Sequence, residues 1–189
     1  METFIYKNTQ ISYTTSGKGA ALVFLHGFLE NKNMWIPYEK YFSNKFRVIT
    51  IDLFGHGKSE NLGYIHTMED HADMVFALLS DLRIRKATLV GHSMGGYVAL
   101  AFAELYPDHL KSLVLINASS RADSEERKLN RDRAIQVVKK NAKVFISMAI
   151  NNLFSDDARA DLSNQIDIVR EQALETSLQG VVAALEGMK

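Results

Sequence analysis

The run Gly91-His92-Ser93-Met94-Gly95-Gly96 constrains this chain more than any other part of it. It follows an apolar stretch, Ala87-Thr88-Leu89-Val90, that reads as a buried strand. It precedes Tyr97-Val98-Ala99-Leu100-Ala101-Phe102-Ala103-Glu104-Leu105, which reads as a helix. Strand, G-x-S-x-G, helix is the context of a nucleophile elbow. So sharp a turn holds the serine in a strained backbone conformation and leaves its hydroxyl standing clear of the sheet. Residues two before and two after the serine crowd each other in that turn, which is why Gly91 and Gly95 suit it.

The rest of the chain alternates in the same way up to about residue 120. Phe4 to Tyr6 and Ile11 to Tyr13 read as short strands joined by a polar turn. Ala20 to Leu25 is a continuous apolar run, the pattern of a strand buried on both faces. A helix from about Asn33 to Tyr41 and a strand from Arg47 to Ile51 follow. Residues 67 to 82 carry apolar positions at helical spacing, with Thr67 placed to cap them. Lys111 to Ile116 is the next strand, after a helix that stops near Pro107. The pattern predicts an α/β fold, a mostly parallel sheet with flanking helices. From Asp123 to Lys189 only helical periodicity is present. Asp123 and Glu126 fit a capping box, Phe145, Met148, Ala149 and Leu153 an apolar stripe, and Ser155-Asp156-Asp157 a further cap. Leu174, Leu178, Val181, Val182 and Leu185 mark a last helix. The division expected is therefore residues 1–120 as a core and 121–189 as a helical cap with a helix leading back out of it.

Composition narrows the function classes. With 22 basic and 22 acidic residues, no excess charge points to nucleic acid or to an anionic membrane. The absence of cysteine excludes disulfides, thiol nucleophiles and thiolate metal sites. Residues 1–7 lack the basic start and apolar stretch of a signal peptide, and the expected location is cytoplasmic.

Taken together, the motifs resemble the α/β-hydrolase superfamily, specifically its small serine hydrolases with a helical cap. The residues that carry the resemblance are His26-Gly27-Phe28, Met34-Trp35, Asp52-Leu53-Phe54-Gly55-His56-Gly57-Lys58-Ser59 and the elbow, with Tyr106-Pro107-Asp108 as a weaker match. They cover residues 20 to 120. The resemblance implies Ser93 as catalytic nucleophile and the backbone N–H groups of Phe28 and Met94 as oxyanion hole, with no cofactor and no metal. It implies cleavage of a small ester or thioester through an acyl-serine, because a serine attacks well only when a histidine takes its proton. Family members place the acid and the histidine of the triad after the cap, so both are expected beyond Lys189, together with the last strands of the sheet. The 189-residue chain alone is accordingly expected to be inactive. Its last strand should form an open edge through which copies self-associate.

The six histidines do not fill the gap. His92 adjoins the nucleophile, where neighbouring side chains diverge, and His26 suits a role in fixing the oxyanion loop. His56, His66, His71 and His109 read as turn or surface residues, and their spacing does not match a zinc site. Asp52 follows the wrong strand for a triad acid and is expected to anchor its own loop. Gly57-Lys58-Ser59 lacks the upstream glycine of a phosphate-binding loop. Trp35, Phe145, Met148 and Phe154 are the expected substrate-binding residues, lining an apolar pocket for an uncharged acyl group. Related chemistries on the same fold are a C–C hydrolase, a cofactor-free lyase and a perhydrolase. A module that only binds a small molecule is the remaining alternative.

Overall fold

The computed structural model describes residues 1–189. Its sheet has six strands: β1 (Glu2–Tyr6), β2 (Thr9–Ser16), β3 (Ala21–Leu25), β4 (Arg47–Ile51), β5 (Ala87–His92) and β6 (Leu110–Ile116). They lie in the order β1-β2-β4-β3-β5-β6. β1 and β2 form an antiparallel hairpin, and β2 pairs antiparallel with β4. From β4 through β3 and β5 to β6 all pairing is parallel. The α/β architecture expected from the alternating pattern is thus the one present.

Alternation along β3 explains why its sequence is apolar throughout. Val23 and Leu25 join the larger core with Ile49, Ile51 and Leu89. Leu22 and Phe24 face the other side, where Trp35, Val48 and Val90 complete a smaller core. Successive side chains of a strand point to opposite faces, so a strand covered on both must be apolar at every position. Helix α1 (Ile36–Phe42) lies on the side of the smaller core, with Phe42 packed against it. Helices α2 (Met68–Asp81) and α3 (Met94–Leu105) supply the larger one. Thr67 caps α2 as expected, its side chain accepting the N–H of Asp70 at 3.0 Å.

Five helices follow β6: α4 (Glu125–Lys140), α5 (Ala142–Asn151), α6 (Asp156–Asp161), α7 (Ser163–Leu174) and α8 (Leu178–Gly187). Ser155 caps α6. Two local expectations are corrected. Ser124, not Asp123, caps α4 by accepting the N–H of Arg127 at 3.3 Å. Asp123 instead turns inward and is buried. The apolar pattern from Leu174 to Leu185 is also not one helix. It breaks at Glu175–Ser177, where the Ser177 side chain caps a new helix by accepting the N–H of Gly180.

No helix is long and apolar enough to cross a membrane.

Candidate active site

Ser93 sits between the end of β5 and the first residue of α3, with φ 49° and ψ −113°. For a residue with a Cβ this is a strained conformation. The surroundings hold it there. The Ser93 N–H donates to the carbonyl of Ile116 at 3.0 Å, and the Ser93 carbonyl accepts the N–H of Gly96 at 2.9 Å. A Cβ on Gly95 would run into the carbonyl oxygen of Leu25, and one on Gly91 into that of Gly95. Gly95 thus lets the turn press against the end of β3, and Gly91 lets β5 approach the first turn of α3.

The loop after β3 is fixed just as closely. His26 is wholly buried; its Nδ1–H donates to the carbonyl of Gly27 at 2.8 Å, and its Nε2 accepts the N–H of Leu53 at 2.9 Å. That pairing requires the neutral ring, and burial holds its pKa below the ordinary histidine value. His26 thereby ties the loops after β3 and β4 together. Glu30 makes a second tie. Its Oε2 accepts the N–H of Gly27 at 2.6 Å and the Nδ1–H of His92 at 2.8 Å. His92, next to Ser93 in the chain, is thus held by Glu30 and is not hydrogen-bonded to Ser93. Glu30 was not identified from the sequence. A glutamate in a polar loop looks alike whether it faces water or grips a backbone N–H.

Asp52 anchors its loop. Its carboxylate accepts the backbone N–H groups of Lys32 at 2.8 Å and Lys58 at 3.0 Å, and pairs with Lys32 Nζ at 2.5 Å. The pair is buried, and Lys32 Nζ also donates to Ser12 Oγ.

Three histidines read as turn or surface residues are in fact buried: His56, His66 and His71. Burial pushes His56 down to about 3 and His66 to about 4, and holds His71 well below its ordinary value. They surround Phe54, whose ring centroid lies 4.8 Å from that of His71 and 5.5 Å from that of His66. Neither ring nitrogen of His66 or His71 has a protein hydrogen-bond partner. The reason for their burial is remote in sequence: α8 packs over the loop, with Gly180 against Gly55 and Gly187 against the carbonyl of His66.

A cavity of about 230 Å³ opens at Ser93. Phe28 and Leu29 border it from the loop after β3, and Asn117 to Ser119 from the segment after β6. Ala149 and Ile150 of α5, Leu153 in the turn after it, and Met188 give it apolar walls. Arg127 and Arg131 of α4 and Tyr97 of α3 complete it. The structure brings Ser93 and Phe28 onto one cavity, and Met94, itself buried, opens α3 next to Ser93, where backbone N–H groups have no helical acceptor. It does not bring the four expected substrate-binding residues there. Trp35 is buried in the smaller core, 4.8 Å from Phe24 centroid to centroid. Phe145 and Phe154 pack against the larger core, and Met148 is exposed. The cavity instead takes Ala149 and Ile150 of α5 and Leu153 of the turn that follows it. The two arginines were also missed, because charges on a polar helix read as a solvated face.

None of the six histidines makes a hydrogen bond to Ser93 Oγ.

A parallel sheet with a serine at the tight turn between its strand and helix, beneath a helical cap, is the arrangement of an α/β hydrolase fold. The family model described as alpha/beta hydrolase fold matches residues 20–159, and the chain belongs to that family. A thermophilic esterase from Thermogutta terrifontis, solved with malate bound, superimposes with a TM-score of 0.90 at 35% identity, over 95% of this chain and 67% of that one. The 2-hydroxy-6-oxononadienedioate/2-hydroxy-6-oxononatrienedioate hydrolase of Burkholderia vietnamiensis is 32% identical over 154 residues, covering 72% of this chain and 54% of that protein. The pimeloyl-[acyl-carrier protein] methyl ester esterase of Aliivibrio salmonicida is 34% identical over 118 residues, 62% of this chain and 43% of that protein. The chain spans about a third of the length of the Mycobacterium relatives that it matches at 35% identity, and about half of the Burkholderia hydrolase.

Proposed function

We propose that Ser93 is the nucleophile of a serine hydrolase that cleaves a carboxylic ester or thioester of modest size. The observation that carries the reading is the backbone of Ser93, held at φ 49° and ψ −113° on the border of a cavity that Phe28 shares. Strain of that kind persists only where its surroundings over-determine it, and it places a hydroxyl where a substrate can reach it. In the reaction Ser93 Oγ attacks the carbonyl carbon while a general base takes its proton. The carbonyl oxygen becomes an oxyanion, which the N–H groups of Phe28 and Met94 receive. Collapse expels the alcohol or thiol with the proton returned by the base, and water then hydrolyses the acyl-serine. Each oxyanion donor is worth about 3 kcal/mol of transition-state stabilisation.

Similarity to two esterases supports the ester reading. Similarity over 154 residues to a hydrolase of 2-hydroxy-6-oxononadienedioate favours a second reading, with the same serine acting on a substrate named without an ester. The test uses protein expressed from its complete gene, weighed intact before and after treatment with a fluorophosphonate. The expected result is a single adduct that Ser93→Ala removes and, in untreated protein, burst release of alcohol from an ester substrate. An adduct with no ester turnover supports the second reading. A folded protein that takes up no adduct overturns both and leaves a binding module.

A further inference from the structure

The cavity at Ser93 is bordered by two cations and no acid. Arg127 and Arg131 stand one helical turn apart on α4, so both guanidinium groups lie on one helix face, where like charges repel. A single carboxylate answers them. Asp123, its side chain fully buried, accepts Arg131 Nε at 2.5 Å and the Tyr97 hydroxyl at 3.0 Å. Burial acts to raise the Asp123 carboxyl, but the hydrogen bond and charge of Arg131, with Tyr97 and Arg127, outweigh it and hold the pKa below the usual carboxylate value. Asp123 is therefore an anion committed to Arg131. Arg127 lies 3.8 Å from its other oxygen, and its guanidinium makes no hydrogen bond to any protein acceptor. One positive charge with a free planar fork of donors is left on the wall of the cavity.

We propose that the substrate carries a carboxylate at the end remote from the reacting carbonyl, and that Arg127 binds it with Arg131 behind. The inference rests on the reading of Ser93 as the site of ester attack and names its substrate class: half-esters of small dicarboxylic acids, or esters whose alcohol portion bears an acid. The apolar residues at positions 149, 150 and 153 pack the carbon chain between the two ends. A planar carboxylate matches the guanidinium fork bidentately, and a cavity of about 230 Å³ suits a small acid. Asp123 and Tyr97 are positioning residues here, because they fix Arg131 and leave Arg127 free.

The test measures binding, so that it stands apart from catalysis. Protein from the complete gene, carrying Ser93→Ala to prevent turnover, is titrated calorimetrically with monomethyl glutarate and with dimethyl glutarate. The charged half-ester should bind about tenfold more tightly or better at low salt, the range of a charge-assisted hydrogen bond. Sodium chloride should shrink that preference. Arg127→Ala should bring the ratio to near one, and Arg127→Glu should reverse it. Urea unfolding of each variant checks the fold, and its midpoint should stay at that of the parent. Equal binding of the two esters, an unchanged ratio in Arg127→Ala, or no binding of either would overturn the proposal. A failure of the hydrolase reading would look different: no adduct at Ser93, with the binding preference intact.

Discussion

At the scale of single residues, the site is written most clearly where the constraint is local. Ser93 and its flanking glycines were legible because a tight strand-to-helix turn needs small residues at fixed offsets. Glu30, Arg127 and Arg131 were not, because their roles depend on groups brought in from other elements. His92 lies 62 residues from Glu30, and Asp123 meets Tyr97 across 26. The glycines make the sharper prediction. A methyl group at Gly95 would strike the backbone oxygen of Leu25, which cannot rotate away as a side chain could. Gly95→Ala should therefore cost about 3 kcal/mol or more in urea unfolding. Gly63, around which a Cβ would meet nothing within 4 Å, serves as the control. Gly63→Ala should lie within about 0.5 kcal/mol of the parent. Equal effects of the two substitutions would show that the elbow is looser than its packing indicates.

At the scale of elements, strands of the parallel sheet were legible because burial on both faces makes them continuously apolar. The cap was legible only as helix. Its break at Glu175–Ser177 is invisible to periodicity, since apolar spacing runs through it and only the Ser177 cap marks it. The buried histidines were missed for a related reason: the loop after β4 is covered by α8, over a hundred residues away in the chain. Their burial has a consequence for pH. In the unfolded chain His56, His66 and His71 titrate near the ordinary histidine value of about 6.5. In the folded protein burial lowers all three, His56 to about 3 and His66 to about 4. More than about one pH unit above 6.5 they are neutral in both states and contribute no pH dependence. As the pH falls below that value the unfolded chain binds protons that the folded one refuses, and stability is lost until the folded values are reached. Between pH 7 and 5 His56 and His66 each cost about 2 kcal/mol, against a typical total of about 5–15, and His71 acts in the same direction. Urea unfolding across this range should register the loss. His71→Leu, which swaps a ring with no hydrogen-bond partner for an apolar group of similar size, should make it smaller. A variant that loses as much stability as the parent between those pH values would refute the assignment.

The sheet formed by residues 1–189 shows one feature that no single element explains: it ends differently at its two sides. On one side it ends in the twisted hairpin of β1 and β2. On the other it ends in β6, which pairs with β5 alone. An unpaired parallel edge presents a row of N–H and C=O groups ready to accept another strand. Apolar surface accompanies it: Val114, level with Val90 in the register, is 43% exposed, and Leu105 at the end of α3 is 45% exposed. Edge strands in monomeric proteins are usually defended by charge, proline or a bulge within the strand. β6 has an irregularity at its start, where the register shifts and leaves Lys111 without a partner on β5, but from Ser112 to Ile116 it is uncharged and regularly paired. Two copies of the 189-residue chain related by a twofold axis would bring β6 against β6 antiparallel, burying both edges at once. Sedimentation velocity over a range of concentrations should therefore detect a dimer that grows with concentration. Val114→Lys places a charge at the centre of that edge without touching the cavity or the larger core, and it should shift the equilibrium toward monomer. A single species of 21.3 kDa at every concentration would show that β6 is protected in some other way. Association unchanged by Val114→Lys would place the contact elsewhere on the surface.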